Sequence, residues 1–396
     1  MTALDTPSET EVWLEKVRGL APLIAEHRDE SEAQRWLATP VYEAMRELGL
    51  FKLWLPSAVG GNEIDIHTAL EITELLASFD GSTAWNFMIG LQGSVLLGFI
   101  PEYRAVEMMA DQPNGTLGGS GQPGGIAVPV EGGYKISGRW GFASGSHHTR
   151  WLCGNCRIEE DGVARVDADG NPEMRMFWFN SDQYVLHDTW HTTGLKATGS
   201  GDYEVKDVFV PEDMYVQGML TKSPYQDGTI FQTRVALLLG PPFSAVAIGV
   251  AREALRTFID LAVKKKPSRS NKSLAEYDST ARIIGLAEAK INAAHAYLHN
   301  TMCERLWPAM LEGKGDDEDI AVDVFYASAF AAQNAAEAVD LLVEAAGGTG
   351  IYESSPLERC FRDVHMVSKH AGSQAAINYT RGGNFRLGLG FSMRRS

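Results

Sequence analysis

Three stretches of this chain carry side chains whose types and spacing suit chemistry. The first is Arg362-Asp363-Val364-His365-Met366-Val367-Ser368-Lys369-His370, which follows Gly347-Gly348-Thr349-Gly350. An imidazole titrates near neutrality, so His370 is able to take a proton from a substrate hydroxyl or to supply one. The competing reading is a lone surface or core histidine. His365 is the weaker candidate, because a five-residue spacing does not put both rings on one helical face. The second stretch is Phe142-Ala143-Ser144-Gly145, followed by His147, His148 and Trp151. Its hydroxyl either closes a turn or holds a hydrogen bond inside a dry pocket. The third is Lys264-Lys265-Lys266 with Arg269, which suits an anion but reads equally as a solvated basic loop.

Cys153-Gly154-Asn155-Cys156 has a metal-ligand spacing and lies close to His147 and His148. The segment reads as a strand, however, and positions i and i+3 of a strand point to opposite faces. No second pair completes four ligands. Reduced, buried, structural thiols are expected, and no metal.

The elements that must position these groups fall into three parts. Residues 1–114 read as a helical domain. Apolar Trp13, Val17, Leu20, Leu23 and Ile24 line one face of a helix from Glu11 to His27. A second helix runs near Pro40 to Leu48 and a third from His67 to Ser78, after which Gly81-Ser82-Thr83 opens an apolar fourth. Residues 115–228 are dense in glycine and proline and read as an antiparallel β domain, with strands over 133–140, 174–179 and 203–210. Residues 229–396 return to helix, as a four-helix bundle. The stripe Ile284, Ala287, Ile291, Ala294, Leu298, Met302 and Leu306 ends at Pro308. Asp316-Asp317-Glu318-Asp319 reads as a helix start rather than a binding patch. Ser355-Pro356-Leu357-Glu358 has the pattern of a capping box, and Gly347 that of the cap ending a long helix at Ala346. The class is α+β.

With 396 residues, 44% hydrophobic and 22% charged, the chain has the composition of a globular protein with a large core. A formal charge of −16 argues against nucleic acid and against an anionic membrane surface. The polar, acidic start is unlike a signal peptide. The longest apolar stretch, Val235 to Ala251, is interrupted by Pro241-Pro242 and is too short to span a bilayer. A cytoplasmic protein is expected. No strand-GxGxxG-helix unit for a pyridine nucleotide is present.

Taken in order, several motifs resemble the acyl-CoA dehydrogenase superfamily over roughly residues 48–389. They are Leu55-Pro56 with Gly60-Gly61, Gly118-Gly119-Ser120-Gly121-Gln122-Pro123, the hairpin Gly132 to Trp140, Gly194-Leu195-Lys196-Ala197-Thr198-Gly199-Ser200, and Gly347 to Gly350. Phe142-Ala143-Ser144-Gly145 resembles the aromatic-x-Ser-Gly motif of the oxygenase branch, which includes two-component aromatic hydroxylases such as those acting on 4-hydroxyphenylacetate. His370 falls where that branch has a histidine. The dehydrogenases' glutamate base falls one position later, at Ala371 here.

The resemblance implies an acyl-CoA dehydrogenase-like fold and a reduced-flavin-dependent monooxygenase working through a flavin C4a-hydroperoxide. The cofactor would be FMNH2 or FADH2 and the co-substrate O2. A separate NAD(P)H:flavin reductase would supply it, and the chain would form a homotetramer. His370 and Ser144 would be catalytic, with Ser144 near flavin N5. Gln122, Trp140, Ser144, Ser200 and Arg269 would contact the flavin, together with Gly347 and Gly348. Glu344, where dehydrogenases have glutamine, is compatible with FMN or diffusible flavin. Trp85, Asn86, Gln92, Asn378 and Tyr379 would line the pocket of a small, aromatic substrate. The alternatives are N- or S-oxygenation, or a flavin dehydrogenase or oxidase with its base elsewhere, at Glu253 or Glu288.

Overall fold

The computed structural model describes residues 7–166, 170–268 and 270–390. Six helices come first: α1 (Glu9–Arg18), α2 (Ala21–Gln34), α3 (Thr39–Glu47), α4 (Ile66–Ala77), α5 (Gly81–Leu96) and α6 (Glu102–Asp111). The helix expected from Glu11 to His27 is two helices. Gly19 closes α1, and Pro22, which cannot supply the N–H that a continuing helix needs, sits in the first turn of α2. Asp80 caps α5 by accepting the Thr83 N–H at 2.7 Å. This helix is buried on nearly every side, as its lack of a polar face requires.

The sheet follows: β1 (Gly118–Val130), β2 (Gly133–Trp140), β3 (Trp151–Glu160), β4 (Val163–Ala164), β5 (Met174–Asn180), β6 (Val185–His187), β7 (Asp202–Pro211) and β8 (Tyr215–Val216). Its order is β6-β7-β2-β1-β3-β5-β8, with β4 on β3. The sheet is mixed, not antiparallel throughout as expected. β3 pairs with β1 instead of β2, and two reversals of direction leave β1 and β3 parallel. The chain crosses from β2 over β1 to β3 through residues 141–150, the segment that contains Ser144. Register shifts on β1 between Ser120 and Gly125 bend the strand beside that crossover.

The remaining helices are α7 (Ala236–Leu239), α8 (Pro241–Lys264), α9 (Asp278–His299), α10 (Trp307–Leu311), α11 (Glu318–Ala346), α12 (Pro356–Val367) and α13 (Ala375–Arg386). α11 is the hub, packed against α8, α9, α12 and α13. Its alanines, Ala327 to Ala338, are nearly all buried within the chain. The apolar stripe stays buried through Met302 and Leu306, but the backbone turns from α9 to a π-helical turn over Asn300–Leu306, and Pro308 lies in the first turn of α10. Asp317 caps α11 through the Ile320 N–H at 3.0 Å. The capping box at Ser355 does not form, because Arg362 draws the Glu358 carboxylate away at 2.5 Å. Among the described residues no helix is long and apolar enough to cross a membrane.

Candidate active site

The crossover segment, the Gly194–Ser200 loop, α5 and the turn after α12 meet around Ser144 and Trp85. Ser144, 3% exposed, accepts the Trp85 Nε1–H at 2.9 Å. Its hydroxyl lies 2.6 Å from Ser200 Oγ, which lies 2.6 Å from Thr198 Oγ1. Thr198 donates its only hydroxyl proton to the Leu195 carbonyl at 2.9 Å. Each hydroxyl has one proton, so the whole chain has one direction: Ser200 donates to Thr198, and Ser144 donates to Ser200. Ser144 is left as an acceptor, with a lone pair not used by Trp85.

The loop that ends this chain is rigidly seated. A Cβ on Gly194 would stand 2.4 Å from the Arg362 carbonyl oxygen, so only glycine lets the loop lie against α12. Leu195 takes a left-handed backbone, φ 49°, and its N–H is accepted by Asp363 Oδ1 at 2.6 Å. Burial, helped by nearby Asp80, pushes the Asp363 carboxyl up to about 7 against the opposing Leu195 hydrogen bond. The 20 Å³ cavity that Asp363 lines with Asp80, Arg28 and Arg359 has room for one water and none for a substrate.

On the opposite wall the His370 ring lies on Phe243, with centroids 3.7 Å apart, and edge-on to Trp85 at 5.7 Å. Trp85 therefore joins the two residues singled out in the sequence, its N–H on Ser144 and its ring on His370. The turn is fixed by Asn378, fully buried, whose Nδ2 donates to the carbonyls of Ala371 and Gly372. A Cβ at Gly372 would press on Phe243 at 2.9 Å. The Gly372 N–H donates to His370 Nδ1 at 3.1 Å. That bond places the neutral ring's proton on Nε2, which makes no hydrogen bond to the described residues. By accessible surface His370 is exposed, packed on Phe243 and Trp85 and otherwise open to solvent. Surrounding protein, with no ionised partner, pushes its pKa down to about 4. That direction favours the neutral ring, a hydrogen-bond donor at Nε2, where the sequence suggested a group titrating near neutrality.

Other positions fall out differently. Ser200 joins the site. Asn86 ties α5 to the loop through the carbonyl of Ala197 at 3.2 Å. Gln92 is used structurally, donating to the Leu239 carbonyl at 2.7 Å. Tyr379 is exposed on α13, near Tyr326. Gln122 lies on the bent, solvent-facing part of β1. Trp140 is completely buried, stacked on Tyr203 and bonded to the Asn155 carbonyl, so it packs the sheet instead of presenting a face to the cleft. Gly347 and Gly348 are exposed, and Lys265 reaches that loop through the Ala346 carbonyl. Arg269 lies outside the described residues. His365 pairs with Asp340 on the surface.

Glu253 pairs with Arg256, and Glu288 is exposed on α9. Cys153 and Cys156 are buried free thiols in β3, and burial pushes both up, Cys153 to about 12. Phe243 and Asp363 were missed as positioning groups. Proline-rich Pro241-Pro242-Phe243 gave no chemical signal, whereas an aspartate inside an apolar helix face did.

The acyl-CoA dehydrogenase N-terminal domain matches residues 9–103 and the acyl-CoA dehydrogenase C-terminal domain matches residues 242–375. An indole-3-acetate monooxygenase of Pseudomonas putida is 30% identical over 93% of this chain and 91% of its own. The chain belongs to the acyl-CoA dehydrogenase superfamily, in its flavin-dependent monooxygenase branch. An FADH(2)-dependent resorcinol hydroxylase, oxygenase component, of Rhizobium sp. is 27% identical over 94% of this chain and 93% of its own. The solved HsaA monooxygenase of M. tuberculosis superimposes with a TM-score of 0.87 at 25% identity, covering 97% and 99% of the two chains. This superfamily member is thus an oxidoreductase of monooxygenase type with an acyl-CoA dehydrogenase fold, and the dehydrogenase alternative is not favoured.

The cleft fits a flavin on its own geometry. Phe142, 58% exposed with a left-handed backbone, offers an aromatic surface next to a buried hydroxyl held as an acceptor. A planar ring with an apolar face and a polar N–H edge has that complementarity.

Proposed function

We propose that this protein is the oxygenase component of a two-component system, taking FADH2 or FMNH2 from a separate NAD(P)H:flavin reductase. It inserts one oxygen atom of O2 into a small aromatic substrate bearing a ring hydroxyl or N–H. Reduced flavin supplies the two electrons for this, and the second oxygen atom leaves as water. The observation that carries the reading is the one-way hydroxyl chain ending on Ser144. An acceptor there, with Trp85 excluding solvent, binds a ring-edge N–H and holds its proton against loss to water. His370 Nε2–H donates to the substrate's oxygen and favours its ionised, electron-rich form, and Phe243 and Asn378 orient that imidazole. Gln122 and Phe142 flank the ring, while Lys265 and the Gly347-Gly348 backbone meet the phosphate end. The relatives named for indole-3-acetate and resorcinol support the substrate class. Residues 1–114, 115–228 and 229–396 act as three domains, and four chains assemble through the C-terminal helices in the cytoplasm. Exposed Ile351, Tyr352 and Leu387 favour such burial.

The test is to add ¹⁸O2 to the protein with photoreduced FADH2 or FMNH2 and resorcinol, indole-3-acetate or 4-hydroxyphenylacetate. Product carrying one ¹⁸O supports the proposal. Protein-bound oxidised flavin bleached by an acyl-CoA, with no labelled product, overturns it.

A further inference from the structure

A second cluster lies at the seam between α4 and α9. His67, Glu71 and Glu74 follow one face of α4, and His295 and His299 follow one face of α9. Glu74, 3% exposed, takes a hydrogen bond from His295 Nδ1 and another from His299 Nε2, each at 3.0 Å. Arg252 adds a contact at 3.3 Å. In the neutral rings these bonds leave the lone pairs on the other nitrogens, His295 Nε2 and His299 Nδ1. Both of those atoms face Glu71 Oε1, at 3.9 and 3.8 Å. His67 Nδ1 stands 3.3 Å from His299 Nδ1.

An ion-pair network centred on Glu74 accounts for one side of the two imidazoles only. On their other side Glu71 stands at ion-pair distance from both rings with no hydrogen bond to either, and His67 is hydrogen-bonded to His299 through their Nδ1 atoms. The ligating atoms form two overlapping triads, Glu71-His295-His299 and His67-His299-Cys303, each within 4.8 Å. Donors bound tetrahedrally to zinc at about 2.05 Å lie about 3.3 Å apart. The His67–His299, Glu71–His295 and Glu71–His299 contacts, at 3.3 to 3.9 Å, approach that spacing, and His67 has to swing inward to complete one set with Glu71 and His295. A buried carboxylate fixing the tautomers of two histidines is also the usual support behind a metal-bound imidazole. His67 is exposed, which gives solvent access. Imidazole donors with the Cys303 thiol alongside favour a zinc-class cation over magnesium or calcium.

We propose that His67, Glu71, His295 and His299 bind one divalent zinc-class cation, oriented by Glu74, which pins α4 of the N-terminal helices to α9. The full chain, stripped with a chelator and incubated with zinc sulfate, is desalted and its metal measured, with calorimetric titration in parallel. One zinc per chain and a raised Tm are expected. His299→Ala, His67→Ala and Glu71→Gln should each weaken affinity roughly tenfold or more, while His187→Ala, at a half-buried pair with Glu204 in the sheet, should not. If His299→Ala does not fold, the two variants on the more accessible α4 positions carry the test. No retained zinc, or affinity unchanged in His67→Ala and Glu71→Gln, overturns the site.

Discussion

Two groups of histidines in this molecule sit in opposite electrical settings. His370 meets aromatic rings and a backbone N–H, with no carboxylate, so desolvation by the surrounding protein pushes it down to about 4 and favours the neutral ring. His295 meets Glu74, whose hydrogen bond pushes it up. Burial works against ionised Glu74, but the His295 and His299 hydrogen bonds outweigh it and bring the carboxyl down to about 2. The same side chain thus serves as a neutral donor beside a reaction cleft and as part of a polar clamp between helices. What differs is the partner on its second nitrogen.

The most severe way to break the comparison is Glu74→Ala. It removes the acceptor for two imidazoles and one guanidinium, and should cost about 3 kcal/mol, read as a lowered urea midpoint with chelator present. His370→Ala should leave stability near wild type but lower product formation roughly 100-fold, with flavin affinity retained in a titration. A loss of flavin binding in step with turnover would remove His370 from substrate recognition. In the wild-type enzyme, kcat/KM should hold through neutral pH and fall only as pH drops toward about 4, where protonation of Nδ1 breaks the Gly372 bond. An acid limb near pH 6.5 would contradict the environment described.

Ser144→Ala sharpens the contrast on the cleft side. One hydrogen bond of about 1 kcal/mol is lost, so H2O2 released per product should rise roughly fivefold; an unchanged ratio removes Ser144 from the proton-holding role. The last test concerns Asp363 and reads a pH dependence of stability. Its folded carboxyl keeps a proton up to about pH 7 that the unfolded chain has given up near 3.8. Stability therefore declines as pH rises through that window. Asp363→Asn retains an acceptor for Leu195, and its Tm relative to wild type should climb between pH 5 and 7.5. A constant difference would show that Asp363 does not titrate there.

The fold was legible from periodicity and punctuation: apolar stripes at helical spacing, a glycine-rich middle, and caps such as Asp317 all act locally. The boundary errors came where a local signal had a stronger rival. Pro22 broke a continuous stripe, and Arg362 outcompeted Ser355 for Glu358. Parallel pairing of β1 and β3 depends on which strand a returning segment meets, and no local pattern encodes that. Ser144 and His370 stood out through motif context. Trp140 drew attention for the same reason, yet its indole fills the sheet core.

By itself the sequence determined which residue types were at hand and roughly where each helix and strand lies, since propensity and periodicity act over a few neighbours. Only the tertiary structure decided that Trp85 joins Ser144 to His370, that the hydroxyl protons run one way, and that His295 and His299 share one buried carboxylate. Hydrogen-bond direction, tautomer and proton affinity depend on partners distant in the chain, and folding alone brings those partners within 3 Å.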